Sequence, residues 1–486
     1  MSTSDRRITD PGLRGREAAA AAIAACAGLF SAYWDDAWHT TLGRDSALIP
    51  PHLLLYSSIV FVGLVLAIWG VRVLGHEPSL RALLRAPGFA LAASAAAATV
   101  VAAPVDAFWH TAFSRDAVLW SPPHLLSVIA TIVLLAALLI GLDARAGLVA
   151  RASLGAALLG ASQIVIMEFD TDVPQFAEVL YLPLLISTVL GAGWVITALT
   201  ADRSVLPAAV VGYLAFRVIV LAALGVAGWI APDPPLALVG LFALTLRLGA
   251  WRWLLAALAI GVLQVVASAT GVSSVGLVPV AQSLVVVGAV LTVGAVLLVV
   301  GRRRIVGAGL AGLVLVVSLV AAPVPSPAQA HDPGQGASFG TATIAVSGDG
   351  TGLIEVSVTD LASDNAESTA PIRVVARRAG ESIEGSLAAD VERVGSFSGS
   401  VLLPEPGLWF VYAQFAEGGR TLEVWLPVDQ TLSSPVSERR DLYEPVADAG
   451  APPPGQMTLG ALLLALGAGL LVWAGVSVAR HRATVS

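Results

Sequence analysis

The sequence predicts a polytopic α-helical membrane protein of about 12 spans, with an extracytoplasmic all-β sandwich near its C-terminus. Three observations predict it. Of 486 residues, 56% are hydrophobic and only 13% charged, with a mean hydropathy of +0.82. Apolar runs of the roughly 20 residues that a helix needs to cross a bilayer recur along the chain. Between residues 331 and 450 this pattern gives way to short alternating segments.

In chain order the expected spans are 17–36, 52–74, 87–109, 123–142, 147–168, 178–200, 205–230, 234–250, 251–271, 275–300, 305–325 and 456–479. The boundary between the eighth and ninth falls in "LRLGAWRW", the weakest divider. Every second loop carries arginine: before span 1 (Arg6, Arg7, Arg14, Arg16), then after spans 2, 4, 6, 8, 10 and 12. Short loops rich in basic residues stay on the cytoplasmic side. Both termini are therefore expected in the cytoplasm of a bacterial cell, the chain being multi-pass in its plasma membrane. The loops joining spans 1–2, 3–4 and 5–6 then face outward.

Residues 1–330 thus form a transmembrane helical domain. Span 11, with "RRR" before it and "AQA" after it, has the layout of a secretory signal placed internally. Cleavage after Ala330 would leave His331 as a new N-terminus; an ordinary anchor is the simpler expectation. In 331–450, "TATIAVSGDG", "LIEVSVTDL", "IRVVARRAG", "GSFSGSVLL" and "LWFVYAQF" alternate as strands do, with turn residues between them. About seven strands suit a β-sandwich. A Pro-rich linker opens 451–486 and leads to the last span.

All 27 basic residues are arginine, and the net charge is -7, which argues against a nucleic-acid partner. The single cysteine, Cys26, rules out a disulfide or a multi-thiolate metal site within one chain. Any metal needs histidine and carboxylate ligands.

Those residues are concentrated in a sentence written twice. "DDAWHTTLGRDSALIPPHLL" covers 35–54 and "DAFWHTAFSRDAVLWSPPHLL" covers 106–126, within hairpins 17–74 and 87–142; four of the seven histidines lie there. Asp35 and His39 share a helix face, as do Asp106 and His110. Each copy returns through Pro-Pro-His, where proline suits the first helical turn. His52 and His124 therefore open the next helix. Each hairpin can bring one carboxylate and two imidazoles together, a donor set with open positions that suits copper, iron or zinc. Arg44, Asp45, Arg115 and Asp116 are candidates for supporting them. A metal-free alternative keeps the histidines and aspartates as hydrogen-bonding groups and Trp34, Trp38, Trp109 and Trp120 as interfacial aromatics.

The first copy resembles the metal-binding segment of the C subunit of particulate methane and ammonia monooxygenases. The shared pattern is D-x-x-x-H-x12-H with Trp38 before the first histidine, Arg44–Asp45 in the loop and Pro50 two before His52. The resemblance implies copper at Asp35, His39 and His52, and membership of a larger membrane complex, with the second copy adding Asp106, His110 and His124. It covers only the two hairpins. The family carries one copy, and its neighbouring site uses Asn and His on later helices, whereas here no histidine lies between His124 and His331. The β-domain is loosely similar to exported copper-resistance sandwiches that begin with histidine, which makes His331 a weak candidate ligand; a docking role is the stronger expectation.

Three functions follow as alternatives: a copper-binding subunit of a monooxygenase-like complex, a copper transport or tolerance protein served by a copper chaperone, and a metal-free membrane scaffold. The outward loop "MEFDTDVPQFAEVLYLP" holds Glu168, Asp170, Asp172 and Glu178 without histidine. It reads as a decayed third repeat, an acidic mouth for cations, or a solvated loop. Arg217, mid-span, requires a partner or a water cavity. Gln264 and Gln282 read as ordinary interhelical hydrogen bonders.

Overall fold

A computed structural model describes residues 11–300, 338–444 and 454–485, apart from 43–47, 114–118, 175, 364–365, 379–380, 391–392 and 394. Its helices are α1 (Gly15–Leu42), α2 (Pro50–His76), the short α3 (Leu80–Arg85), α4 (Phe89–Phe113), α5 (Pro122–Ile140), α6 (Leu148–Gln163), α7 (Met167–Asp170), α8 (Tyr181–Leu199), α9 (Val205–Val226), α10 (Trp251–Ala269), α11 (Leu277–Val299) and α12 (Pro454–Val485). Among the described residues, ten helical segments are long and apolar enough to cross a membrane, α6 and α7 counting as one. The protein is multi-pass and embedded in lipid.

The expectation of 12 spans is corrected in one place. The run at 234–250 forms a 10-residue 3-10 helix, Leu236–Thr245, too short for a crossing. Pro232, Pro234 and Pro235 precede it and withhold backbone donors. Span 11, the signal-like segment and His331 lie outside the described residues.

The hairpins α1–α2 and α4–α5 stand side by side, and α12 packs on α5. At the end of the bundle away from the repeats, packing is tight. Trp69 is fully buried and donates from Nε1 to the Pro11 carbonyl at 2.9 Å. A Cβ on Gly141 would sit 2.1 Å from the Trp69 ring, so only glycine fits there.

The β-domain is also corrected. Its strands are β1 (Ser338–Gly348), β2 (Leu353–Ser363), β3 (Ala370–Arg378), β4 (Glu381–Ala389), β5 (Phe397–Leu402), β6 (Leu408–Glu417), β7 (Arg420–Asp429) and β8 (Val436–Tyr443). They form a closed antiparallel barrel in the order β1-β2-β5-β4-β3-β6-β7-β8, not a sandwich. Closure comes from β1, which pairs with both β2 and β8. Alternation reveals strands and their inward faces, but not whether the first and last strands meet. An eight-strand barrel has an interior that side chains just fill. Ile344, Val356, Val374, Val411 and Val424 fill it here.

β6 and β7 are buried on both faces. Trp409, Val411, Ala413 and Phe415 point inward, while Phe410, Tyr412 and Trp425 form an outer cluster with Val375 and with Val173 of the helical domain. The near-continuous apolar run "LWFVYAQF" reflects this double burial. Polar contacts flank the cluster. Arg378 reaches Asp172 Oδ1 at 2.7 Å and Glu178 Oε1 at 2.6 Å, and the Leu408 N–H donates to Asp172 Oδ2 at 2.7 Å. Arg440 stacks over Trp425 and donates to the Thr41 carbonyl at 2.6 Å, capping the end of α1 two residues beyond His39.

Candidate metal centre

Asp35 and His39 occupy successive turns at the end of α1. The next helix starts as the sequence predicts: Ile49 is the extended N-cap, and Pro50 and Pro51 lead into His52. This brings His52 Nε2 to 3.2 Å from Asp35 Oδ1 and His39 Nε2 to 3.8 Å from Asp35 Oδ2. One donor atom from each of the three residues lies within 4.8 Å of the others. Their side chains are 17–25% exposed, so they are shielded from bulk water yet reachable. One carboxylate and two imidazoles at these separations can close on a single ion and leave further positions open.

The second copy repeats the helix geometry. Ser121 is the N-cap of α5, its hydroxyl accepting from the His124 N–H at 3.4 Å, and Pro122 and Pro123 again lead in. His124 Nε2 lies 3.1 Å from Asp106 Oδ2, against 3.2 Å for the equivalent pair in the first copy. The extra residue of the second copy therefore falls before Pro122 and leaves the Asp106–His124 pair at the separation of its counterpart. His110 stands on α4, its side chain outside the described residues. Arg44, Asp45, Arg115 and Asp116 also lie outside them.

Both copies open onto one cavity of about 550 Å³ between α1, α2, α4, α5 and the α6–α7 segment, with Asp35, Asp36, His39, His52, Asp106 and His124 in its lining. Elsewhere its walls are mainly apolar. The hydroxyls of Ser58, Thr99 and Thr131 line it too, but each donates to the carbonyl four residues back.

Two further acidic side chains near the motifs are buried. Asp36 follows Asp35 in the "DD" that opens the first motif, and it lines the same cavity. It is 3% exposed. Glu168, at 1% exposure, accepts the Leu119 N–H at 2.7 Å and so ties the third hairpin to the second copy.

The other acids of that hairpin have structural tasks. Asp170 meets the fully buried Arg217 at 3.2 Å. Arg217 also donates to the Tyr33 and Tyr213 hydroxyls at 2.7 and 3.2 Å and to the Asp233 carbonyl. Asp172 and Glu178 hold the barrel through Arg378, so the loop is neither solvated nor an open acidic mouth. Burial raises the Asp172 carboxyl above its ordinary range, and Arg378 works against that shift. Gln264 bonds Ser268 and Ser273 at 3.3 and 3.0 Å, within its own helix and the turn after it, and Gln282 is exposed.

The aromatic residues pack among themselves. Trp38 stacks on Trp229 with centroids 5.5 Å apart, and Trp120 meets the Phe176 ring edge-on at 5.1 Å. Trp109 is buried at 4% beside Gly460 of α12. They brace the hairpin ends against neighbouring elements.

No family model, curated protein or solved structure matches the chain.

Proposed function

We propose that the protein is a membrane copper-binding protein whose Asp35–His39–His52 centre faces outward and acts within a larger, monooxygenase-like complex. The carrying observation is the convergence of these three donors within 4.8 Å. The motif's resemblance to the monooxygenase C subunit supports copper over zinc or iron. So does the Met167 thioether in the lining of the same cavity, a soft donor of the kind that favours Cu(I). A static centre accounts for the cavity better than a transport path. Away from the two motifs, its described lining offers the Met167 thioether, the hydroxyls of Ser58, Thr99 and Thr131, which bond to backbone, and those of Tyr56 and Ser127, with no further histidine or carboxylate.

The test is elemental analysis of purified full-length protein beside a His39→Ala/His52→Ala variant. The wild type should retain copper through chelator washing and the variant should lose the ion of this centre. Equal content in both would refute the reading.

A further inference from the structure

Arg440 ties the barrel to the helix end that carries two of the three donors of the first centre. α1 supplies both Asp35 and His39 and ends at Leu42. The carbonyls of a last helical turn have no partner within their own helix. Arg440 answers one of them: its Nη2 donates to the Thr41 carbonyl at 2.6 Å. Thr41 stands two residues beyond His39, about 3 Å along the helix axis. A guanidinium at this end also complements the helix dipole.

The arginine is itself held in place. On β8 its neighbours Arg439 and Asp441 are exposed, whereas Arg440 is 8% exposed. Its guanidinium lies over the Trp425 ring, 4.8 Å from the centroid, and pairs with Glu438 at 2.7 Å. Trp425 is buried in turn, packed with Val375, Phe410 and Tyr412 beside Val173 of the helical domain. Arg440 therefore reaches Thr41 from a packed barrel wall. Asp35 and His39 share a face only while the turns between and after them stay helical. Donors of a metal centre must be held to within about 0.5 Å, and contacts beyond the ligands do the holding.

We infer that Arg440 is a positioning residue for the first centre: by holding the Thr41 carbonyl it fixes the last turn of α1, so that docking of the barrel sets the affinity for the ion. This rests on the reading of Asp35, His39 and His52 as a metal site.

The test uses full-length protein in detergent, stripped with chelator and titrated with Cu²⁺. Arg440→Met removes the donor and keeps much of the bulk. It should weaken the ion of this centre about tenfold, the low end for loss of a contact that supports a ligand, and change its electron paramagnetic resonance spectrum. Arg440→Gln, shorter and uncharged, is the second variant and should act in the same way. Arg440→Lys keeps a charged donor and should recover most of the affinity and the wild-type spectrum. In the metal-free protein, hydrogen exchange over residues 38–42 should accelerate in Arg440→Met and not in Arg440→Lys. Affinity and spectrum unchanged in Arg440→Met and Arg440→Gln would overturn the inference and leave the first centre standing. A weaker ion with an unchanged spectrum, or no recovery in Arg440→Lys, would mark a merely structural residue and overturn it too. No bound copper in the wild type would overturn the first centre, and the inference with it.

Discussion

The Arg378→Met variant should release the barrel from the bundle. Arg378 is 6% exposed and neutralises two carboxylates, Asp172 and Glu178, whose side chains are 24% and 15% exposed. Removing one partner from a buried ion pair costs about 3–5 kcal/mol, because the remaining charge stays enclosed. Residual solvent at both carboxylates screens part of this, so the low end, about 3 kcal/mol, is the expected loss. At 1.4 kcal/mol per tenfold that is about a 100-fold shift in the opening equilibrium. The Leu408 N–H reports it directly, since its acceptor is Asp172 Oδ2. Hydrogen exchange at Leu408 should accelerate by about 100-fold, while the exposed Arg439→Met control stays at the wild-type rate. The sign with pH is also set. With the cation gone, the enclosed Asp172 carboxyl takes up a proton more readily. The defect should therefore shrink as pH falls from 8 to 5. Exchange at Leu408 within threefold of the control would refute the argument.

Two further outcomes follow from buried charges in the bundle. Arg217→Leu should cost about 3–5 kcal/mol by stranding Asp170, and Arg217→Leu/Asp170→Leu should recover much of that loss; thermal unfolding in detergent measures both, and a double variant no better than the single one refutes the pairing. Burial, with Asp170 nearby, pushes the Asp233 carboxyl from 3.8 up to about 7. A carboxyl raised in the fold stabilises it in the protonated form, fully below 3.8, with the contribution lost as pH rises through about 7. Unfolding temperatures should accordingly rise between pH 8 and pH 5 by a component that Asp233→Asn removes; an identical pH slope in the variant would count against it.

The candidate centre was largely legible in the sequence, because its information is local. Asp35 and His39 are linked by helical periodicity, and His52 by the Pro-Pro lead into a helix start. The repeat supplied the check: the second copy differs by one loop residue, yet its carboxylate–imidazole distance is 3.1 Å against 3.2 Å in the first. The burial of Asp36 and Glu168 was not legible. Asp36 depends on how the end of α1 packs against its neighbours, and Glu168 on where a distant hairpin lands. Likewise, the acidic loop after α7 could be read three ways until Arg378, some 200 residues later, arrived beside Asp172 and Glu178.

By itself the sequence determined that the chain enters the membrane, where most helices run, which segments are strands, and which histidines and aspartates stand within reach of each other. Those properties follow from hydropathy, period and turn chemistry, all of which act over a few residues. Only the tertiary structure decided that the strands close into a barrel, that Leu236–Thr245 stops short of a crossing, and that both motifs share one cavity. These outcomes depend on pairings between residues far apart in the chain: β1 with β8, Arg217 with Asp170, Arg378 with Asp172. Local pattern carries no record of them, because the energy of such a contact exists only once both partners are in place.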